Sequence, residues 1–172
     1  NRGNTVVPAF ANAYMWAVTN HRSAMSCTYT MSHGNPYDSS SFPRHEYLRR
    51  LLLVMTYGPR CSTDRVAEVR ERTPWLIRKE PEPWAAMVIS DNTNCFYGRD
   101  AGMVEDKYLS NVFGVFRTAI EEHLPMTVIN DWNLTAADLA KYKVLVLPNM
   151  AVMDERQAAA VRDFVRTGGG LV

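Results

Sequence analysis

The chain contains 172 residues, of which 47% are hydrophobic and 22% are charged. This balance is typical of a globular protein and excludes a disordered or fibrous chain. At about 150 residues per domain, the length predicts one domain or parts of two. The net charge of +1 offers no strong field to nucleic acid, and no apolar run reaches the roughly 18 residues of a spanning helix. We therefore expect no nucleic-acid partner and no membrane partner.

The metal-binding and redox residue types are few and lack the spacing of known sites. The chain has three cysteines, Cys27, Cys61 and Cys95, without Cys-x-x-Cys spacing, which favours a reducing compartment such as the cytoplasm over a disulfide framework. The four histidines also lack metal-ligand spacing. No dinucleotide-binding, P-loop, zinc-protease or Gly-x-Ser-x-Gly motif occurs in the sequence. The sequence therefore predicts neither a cofactor nor a metal.

The first half of the chain begins irregularly. Alternating side chains predict a strand over 23–31, and the composition of 33–41 predicts a loop. Apolar residues at three- and four-residue spacing predict a helix over about 44–57. Gly58 suits the position just after that helix, where the backbone commonly turns left-handed.

A second helix and a connector complete the first half. Ser62 or Thr63 can cap a helix that runs towards Trp75. The stretch 79–83 is polar and contains two prolines, which is typical of a stiff linker. We therefore place the domain boundary there.

The second half has the pattern of a parallel sheet. Short apolar runs typical of strands buried on both faces occur at 84–90, 126–129 and 143–147, and a fourth strand begins at Leu171. Helical patterns separate them: an amphipathic stretch at 107–123, a short helix from Thr135 and a helix after Asp154. Residues 91–106 are predicted to form a long polar loop. Alternating strands and helices predict an α/β fold, namely a flavodoxin-like, class I amidotransferase-like, doubly wound parallel sheet.

Polar and aromatic residues follow the predicted strands at the edge where such folds bind ligands. The loop 91–100 follows the first strand, 130–133 follows the second and 148–150 follows the third. Carboxylates, amides, a guanidinium and aromatic faces are the groups that bind sugars. Our candidate substrate-binding residues are Asp91, Asn92, Tyr97, Arg99, Asp131 and Trp132. Two alternatives remain open: the first loop can be an interface or packing loop, and Asp131 can simply stabilise a turn.

No catalytic residue is assigned. A glycosidase commonly needs two carboxyl groups flanking the scissile bond, and the first half offers Asp38, Glu46 and Asp64. None of them ends a convincing strand, where barrel enzymes place catalytic groups. Trp16 and Tyr37 can stack on sugar rings or pack in a core.

Several motifs of the second half resemble the beta-galactosidase trimerisation domain, the module that follows the catalytic barrel in glycoside hydrolase family 42. The shared features are a strand that ends in Leu-Pro-Asn, an acidic helix start and a triple-glycine turn into the next strand. Here they are Leu147-Pro148-Asn149, Asp154-Glu155 and Gly168-Gly169-Gly170, and residues 89–100 and 123–132 are also similar to that family.

The resemblance divides the chain in two. Residues 84–172 correspond to the trimerisation-like domain, truncated at its C-terminus. Residues 1–83 correspond loosely to the C-terminal part of a TIM-barrel-like glycosidase catalytic domain. The chain is thus expected to be a fragment of a larger protein.

The resemblance implies an enzyme that hydrolyses O-glycosyl bonds of a carbohydrate substrate through two barrel glutamates. Neither glutamate can be matched to this chain, so the catalytic residues are expected upstream and the fragment alone is expected to be inactive. The second half would assemble a homo-oligomer, a trimer, and its loop 91–100 would contribute to a neighbouring subunit's sugar site.

Two other functions remain open from the sequence. The first is a non-catalytic module for carbohydrate binding or assembly. The second is a class I glutamine amidotransferase-like protein, in which the nucleophilic cysteine would come just after Val172. Cys95 is not in the strand–turn context of that nucleophile and is not assigned to it.

Overall fold

The computed structural model describes residues 6–20, 22, 44–56, 67–76, 79, 82–98 and 105–172. The chain divides into two compact units, Asn1–Glu80 and Pro81–Val172. Within the described residues, no helix is both long enough and apolar enough to cross a membrane.

The described residues of the first unit form the helices α1 (Val6–Val18), α2 (Arg44–Thr56) and α3 (Ala67–Leu76). On α1, the buried residues recur at three- and four-residue spacing and form one face. They are Ala9, Asn12, Ala13, Trp16 and Ala17. Helix α1 is therefore buried along one face.

A small apolar cluster joins α2 and α3. Leu51 and Met55 of α2 are fully buried, and Val69 of α3 packs with them. Thr73 hydrogen-bonds back to the carbonyl oxygen of Val69 at 2.7 Å, and its hydroxyl lies 3.7 Å from the sulfur of Met55. The cluster explains why the leucine-rich pattern of α2 forms a helix that packs on a neighbour.

The predictions for the first unit have mixed outcomes. The helix predicted over 44–57 is confirmed as α2, whereas the irregular start is wrong because α1 occupies it. The last predicted helix is confirmed only from Ala67 onward. Trp16 is buried in α1. The other predictions lie outside the described residues: the strand 23–31, the loop 33–41, and Tyr37, Asp38 and Asp64.

The second unit is built on four parallel strands in the order β2-β1-β3-β4. The strands are β1 (Ala85–Ile89), β2 (Met126–Asn130), β3 (Val144–Val146) and β4 (Gly170–Leu171). The helices are α4 (Ser110–Glu121), α5 (Ala136–Leu139) and α6 (Glu155–Arg166). The predicted α/β class and the parallel strands are therefore confirmed, and the arrangement is consistent with a doubly wound fold.

Helices α5 and α6 pack on one face of the sheet. Ala86 and Val88 of β1 pack in one core cluster with Leu139 of α5 and Phe164 of α6. Because side chains alternate along a strand, Met87 points to the opposite face, where it is also fully buried. Because crossovers between parallel strands are almost always right-handed, we expect the buried side of α4 to lie on that opposite face. That side consists of Val112, Phe116 and Ala119.

The segment after β1 differs from the prediction. It was expected to be a polar loop, but Thr93–Tyr97 forms a π-helical turn. Ser90 begins it as an N-cap does, because its hydroxyl accepts a hydrogen bond from the N–H of Thr93 at 3.0 Å. The turn ends at Gly98, whose N–H donates to the carbonyl of Thr93 at 3.1 Å. A second π-helical turn, Glu105–Leu109, leads into α4.

Candidate functional site

The carboxyl ends of β1 and β2 bring a serine and an aspartate together. The two strands pair in register, with Ile89 opposite Asn130, so the next residue of each strand lies beside the other. The hydroxyl of Ser90 donates to Oδ2 of Asp131 at 2.9 Å. The main-chain N–H of Asn92 donates to the same oxygen at 3.3 Å. Asp131 is only 4% exposed, so these two donors hold a buried carboxylate in one orientation.

The position of Ser90 is fixed from a second side. Its N–H donates to the phenolic oxygen of Tyr108 at 2.6 Å, and Tyr108 is completely buried. Ser90 itself is also completely buried. The end of β1 is therefore hydrogen-bonded to the π-helical turn that precedes α4.

The N-terminus of α6 forms another wall of the same region. Asp154 and Gln157 form a reciprocal capping box, with N-to-O distances of 2.8 and 2.9 Å. The side-chain amide of Gln157 also donates to the main-chain oxygen of Asp131 at 3.0 Å. Two residues before Asp154, the N–H of Val152 donates to the hydroxyl of Thr93 at 3.1 Å. These bonds tie the start of α6 and the segment before it to the end of β2 and to the π-helical turn after β1.

Between these elements lies a cleft of about 440 Å³. We call it the strand-end cleft. It is lined by Asp91, Asn92, Asp131, Trp132, Leu134, Thr135, Asp154, Arg156 and Gln157. Trp132 is 48% exposed and follows Asp131 in a 3₁₀ turn, Asp131–Asn133. The cleft thus combines an accessible indole with polar groups that are already oriented.

Residues of both charges line the cleft. Among the lining residues that the structure describes, Asp91, Asp131 and Asp154 carry carboxylates and Arg156 carries a guanidinium. Arg156 lies 3.7 Å from the carboxylate of Asp154, and its side chain is 94% exposed. Among the residues that the structure describes, no group of three or more His, Cys, Asp or Glu side chains could hold a metal ion. The cleft therefore offers hydrogen-bond acceptors on its carboxylates and donors on Asn92 and Arg156.

Comparison with known proteins identifies the unit that carries this cleft. The family model described as "Beta-galactosidase trimerisation domain" matches residues 84–172. The chain belongs to this family. No curated protein and no solved structure gave a match. The matched residues begin just before β1 and include all four strands and every residue of the strand-end cleft.

Four of the residues predicted from sequence lie together in the trimerisation domain. Asp91, Asn92, Asp131 and Trp132 all line the strand-end cleft. Tyr97 does not; its ring lies 5.4 Å from the ammonium nitrogen of Lys107, and it is 40% exposed. Arg99 lies outside the described residues.

The turn after β3 packs next to the site instead of lining it. Asn149 has a left-handed backbone, with φ of 45°. Its side-chain amide donates to the main-chain oxygen of Lys107. In this way the Leu-Pro-Asn turn of the trimerisation domain holds the second π-helical turn.

Sequence reasoning missed part of the lining. Thr135, Asp154 and Gln157 are recognisable in the sequence as helix-capping residues, and Arg156 as a surface cation. Their contribution to the cleft depends on α6 lying beside the end of β2, which the bond from Gln157 to Asp131 establishes. The available signal was the predicted doubly wound topology, which brings helix starts to the carboxyl edge of the sheet.

Proposed function

We propose that the protein is a glycoside hydrolase of the beta-galactosidase type, which hydrolyses O-glycosyl bonds of a carbohydrate substrate. The observation that carries this proposal is the match of 84–172 to the trimerisation domain of beta-galactosidases. In this proposal 84–172 assembles a homotrimer, and 1–83 is the C-terminal part of a barrel-like catalytic domain. The catalytic carboxyl groups then lie upstream of this chain.

The strand order supports a flavodoxin-like reading of the second unit. Flavodoxin-like sheets have the order 2-1-3-4-5, and the order here is β2-β1-β3-β4. We propose that the unit has this fold, in the form shared with class I amidotransferases.

Exposed apolar side chains support a role in assembly. Phe96 is 66% exposed and Tyr97 is 40% exposed, and both lie on the π-helical turn Thr93–Tyr97. Neighbouring exposed aromatic residues are typical of protein–protein interfaces. We propose that the segment 91–100 contacts a second subunit and contributes to its sugar site.

The candidate sugar contacts follow from the strand-end cleft and its neighbouring turn. In the proposal these residues bind substrate through carboxylate, amide and guanidinium groups and through aromatic faces. They are Asp91, Asn92, Tyr97, Arg99, Asp131 and Trp132. The grouping of four of them in one cleft supports this assignment.

Hydrolysis of nitrophenyl β-galactoside tests the proposal. The intact protein is expected to hydrolyse it, because it would carry the upstream carboxyl pair, whereas the 172-residue chain alone is expected to be inactive. Replacing the glutamates that end the upstream barrel strands four and seven should abolish hydrolysis. Enzyme-like rates from the 172-residue chain alone would contradict the placement of the catalytic pair.

A non-catalytic carbohydrate-binding module is the second candidate, and the strand-end cleft with its exposed indole favours it. This candidate predicts sugar binding by the intact protein without hydrolysis. It also predicts that replacing the upstream glutamates changes no measurable property.

A further inference from the structure

We propose that Asn149, in the turn after β3, is a positioning residue for subunit assembly, because it fixes the surface formed by Phe96 and Tyr97. The inference rests on the proposed function, in which this aromatic pair contacts a second copy of the chain. It adds a residue outside the pair that sets the geometry of the contact. It also assigns a role to the Leu-Pro-Asn motif at 147–149.

The aromatic pair lies on a segment that is too short to hold its shape alone. Phe96 and Tyr97 end the π-helical turn Thr93–Tyr97, which has five residues. Helical segments of this length are not stable in water without partners, and π-helical turns are rare. The second turn, Glu105–Leu109, has the same length and lies beside the first. The orientation of the aromatic pair therefore depends on contacts with neighbouring segments.

Asn149 is connected to Tyr97 through Lys107. The side-chain amide of Asn149 donates to the main-chain oxygen of Lys107, which lies in the second π-helical turn. The ammonium nitrogen of the same lysine lies 5.4 Å from the centre of the Tyr97 ring, which is within the range of a cation–π contact. One hydrogen bond thus holds the residue whose side chain lies over an exposed ring of the pair.

The segment that carries Asn149 also bonds the first π-helical turn. The N–H of Val152 donates to the hydroxyl of Thr93 at 3.1 Å. Thr93 is the first residue of that turn and is completely buried. Asn149 and Val152 therefore bond one π-helical turn each, and because they are close together in the chain they hold the two turns side by side.

The backbone of Asn149 allows its amide group to be removed without strain. Its φ of 45° is left-handed, a conformation that glycine adopts freely. Asn149→Gly therefore keeps the turn and removes the side-chain donor. His123 also has a left-handed backbone, with φ of 56°, but it lies between α4 and β2, at the opposite edge of the sheet from the π-helical turns. His123→Gly is thus the matched control.

Hydrogen exchange of the intact protein, measured by mass spectrometry, tests the positioning. Asn149→Gly is expected to raise exchange about threefold or more in peptides that cover 93–97 and 105–109, because the turns lose a hydrogen bond that holds them. Exchange in β1 and β2 is expected to stay unchanged, which separates this effect from a general loss of stability. His123→Gly should leave both turns unchanged.

Subunit exchange between nitrogen-15-labelled and unlabelled intact protein, followed by native mass spectrometry, tests the assembly. Asn149→Gly is expected to speed exchange about three- to tenfold, as the loss of one orienting hydrogen bond predicts. Lys107→Met keeps the main-chain oxygen that accepts from Asn149 and removes the ammonium group over Tyr97, and it should speed exchange about two- to fivefold. Because both substitutions act on the same contact, the double variant should speed exchange by less than the product of the two factors.

Three results would overturn the inference while the proposed trimer stands. One is unchanged hydrogen exchange in both turns of Asn149→Gly. Another is subunit exchange that is as slow in Asn149→Gly as in the wild type. The last is an equal acceleration of subunit exchange in His123→Gly. A wild-type protein that is monomeric in native mass spectrometry would overturn the proposed trimer itself and, with it, the role of Asn149 in assembly.

Discussion

At the scale of single residues, Asp131 accepts hydrogen bonds through both its side chain and its main chain. Its Oδ2 accepts from Ser90 and Asn92, and its main-chain oxygen accepts from Gln157. Through these bonds one residue joins the ends of two strands to the start of α6. Its structural role can be measured without any ligand.

We expect Asp131→Ala to lower the free energy of unfolding by about 1–3 kcal/mol. The substitution leaves the buried hydroxyl of Ser90 without its acceptor, and an unsatisfied buried donor costs about this much. Urea unfolding monitored by circular dichroism measures the effect. Asp163→Ala is the matched control, because it breaks only an exposed pair with Arg166 and should change stability by less than about 0.5 kcal/mol. Equal losses of unfolding free energy in both variants would show that the hydrogen bonds of Asp131 stabilise the fold no more than the exposed Asp163–Arg166 pair does.

At the scale of secondary-structure elements, Gly168 and Gly169, which link α6 to β4, are required for different reasons. Gly168 has φ of +102°, a backbone conformation that favours glycine. Gly169 lies against the ring of Phe164, where an added Cβ would overlap the ring carbons. Phe164 belongs to the core cluster that covers one face of the sheet. The turn therefore lets β4 start directly beside the core.

Gly169→Ala and Gly114→Ala should change stability in opposite directions. Gly169→Ala forces Phe164 out of position and is expected to lower the free energy of unfolding by about 1–3 kcal/mol. The second places a methyl group on α4, where nothing lies within 4 Å, and should stabilise the helix by about 0.5–1 kcal/mol. Thermal unfolding of the two variants gives the comparison. A loss of stability in both would show that the close approach to Phe164 is not the cause.

Some secondary-structure elements could be predicted from the sequence and others could not. The strands were predictable because uninterrupted apolar runs such as Ala85–Ile89 fit a sheet covered on both faces. Helix α1 was missed because its buried face contains Asn12 and three alanines, which give a weak periodic signal. The turn Thr93–Tyr97 was missed because its start depends on the hydroxyl of Ser90, a residue that also fits the end of a strand.

The candidate site was predictable only where it follows strands directly. Asp91 and Asp131 come one or two residues after β1 and β2, and a parallel sheet brings such positions to one edge. Arg156 and Gln157 were missed because their place in the lining depends on how α6 packs. No local pattern encodes that packing.

At the scale of the whole molecule, the proposed trimer gives a test of the aromatic pair on the first π-helical turn. Phe96→Ser is expected to shift the intact protein from trimer towards monomer at micromolar concentration. The substitution removes an aromatic side chain that is 66% exposed and that we propose contacts the neighbouring subunit. Light scattering coupled to gel filtration measures the mass. Trp75→Ser, on α3, is the control and should leave the trimer intact. If both variants stay trimeric, subunits assemble through another surface.

The order of the strands has a consequence for how the second unit forms. β1 is the first strand of the second unit, yet it lies in the middle of the sheet and needs partners on both sides: Ala85 pairs with Met126 and with Val144. In a nascent chain both edges of this wholly apolar segment are open until β2 has been made, and one edge stays open until β3 has been made. Such long-range pairing slows folding and exposes the intermediate to aggregation. Assistance by chaperones should therefore matter most during synthesis of the segment between β1 and β3.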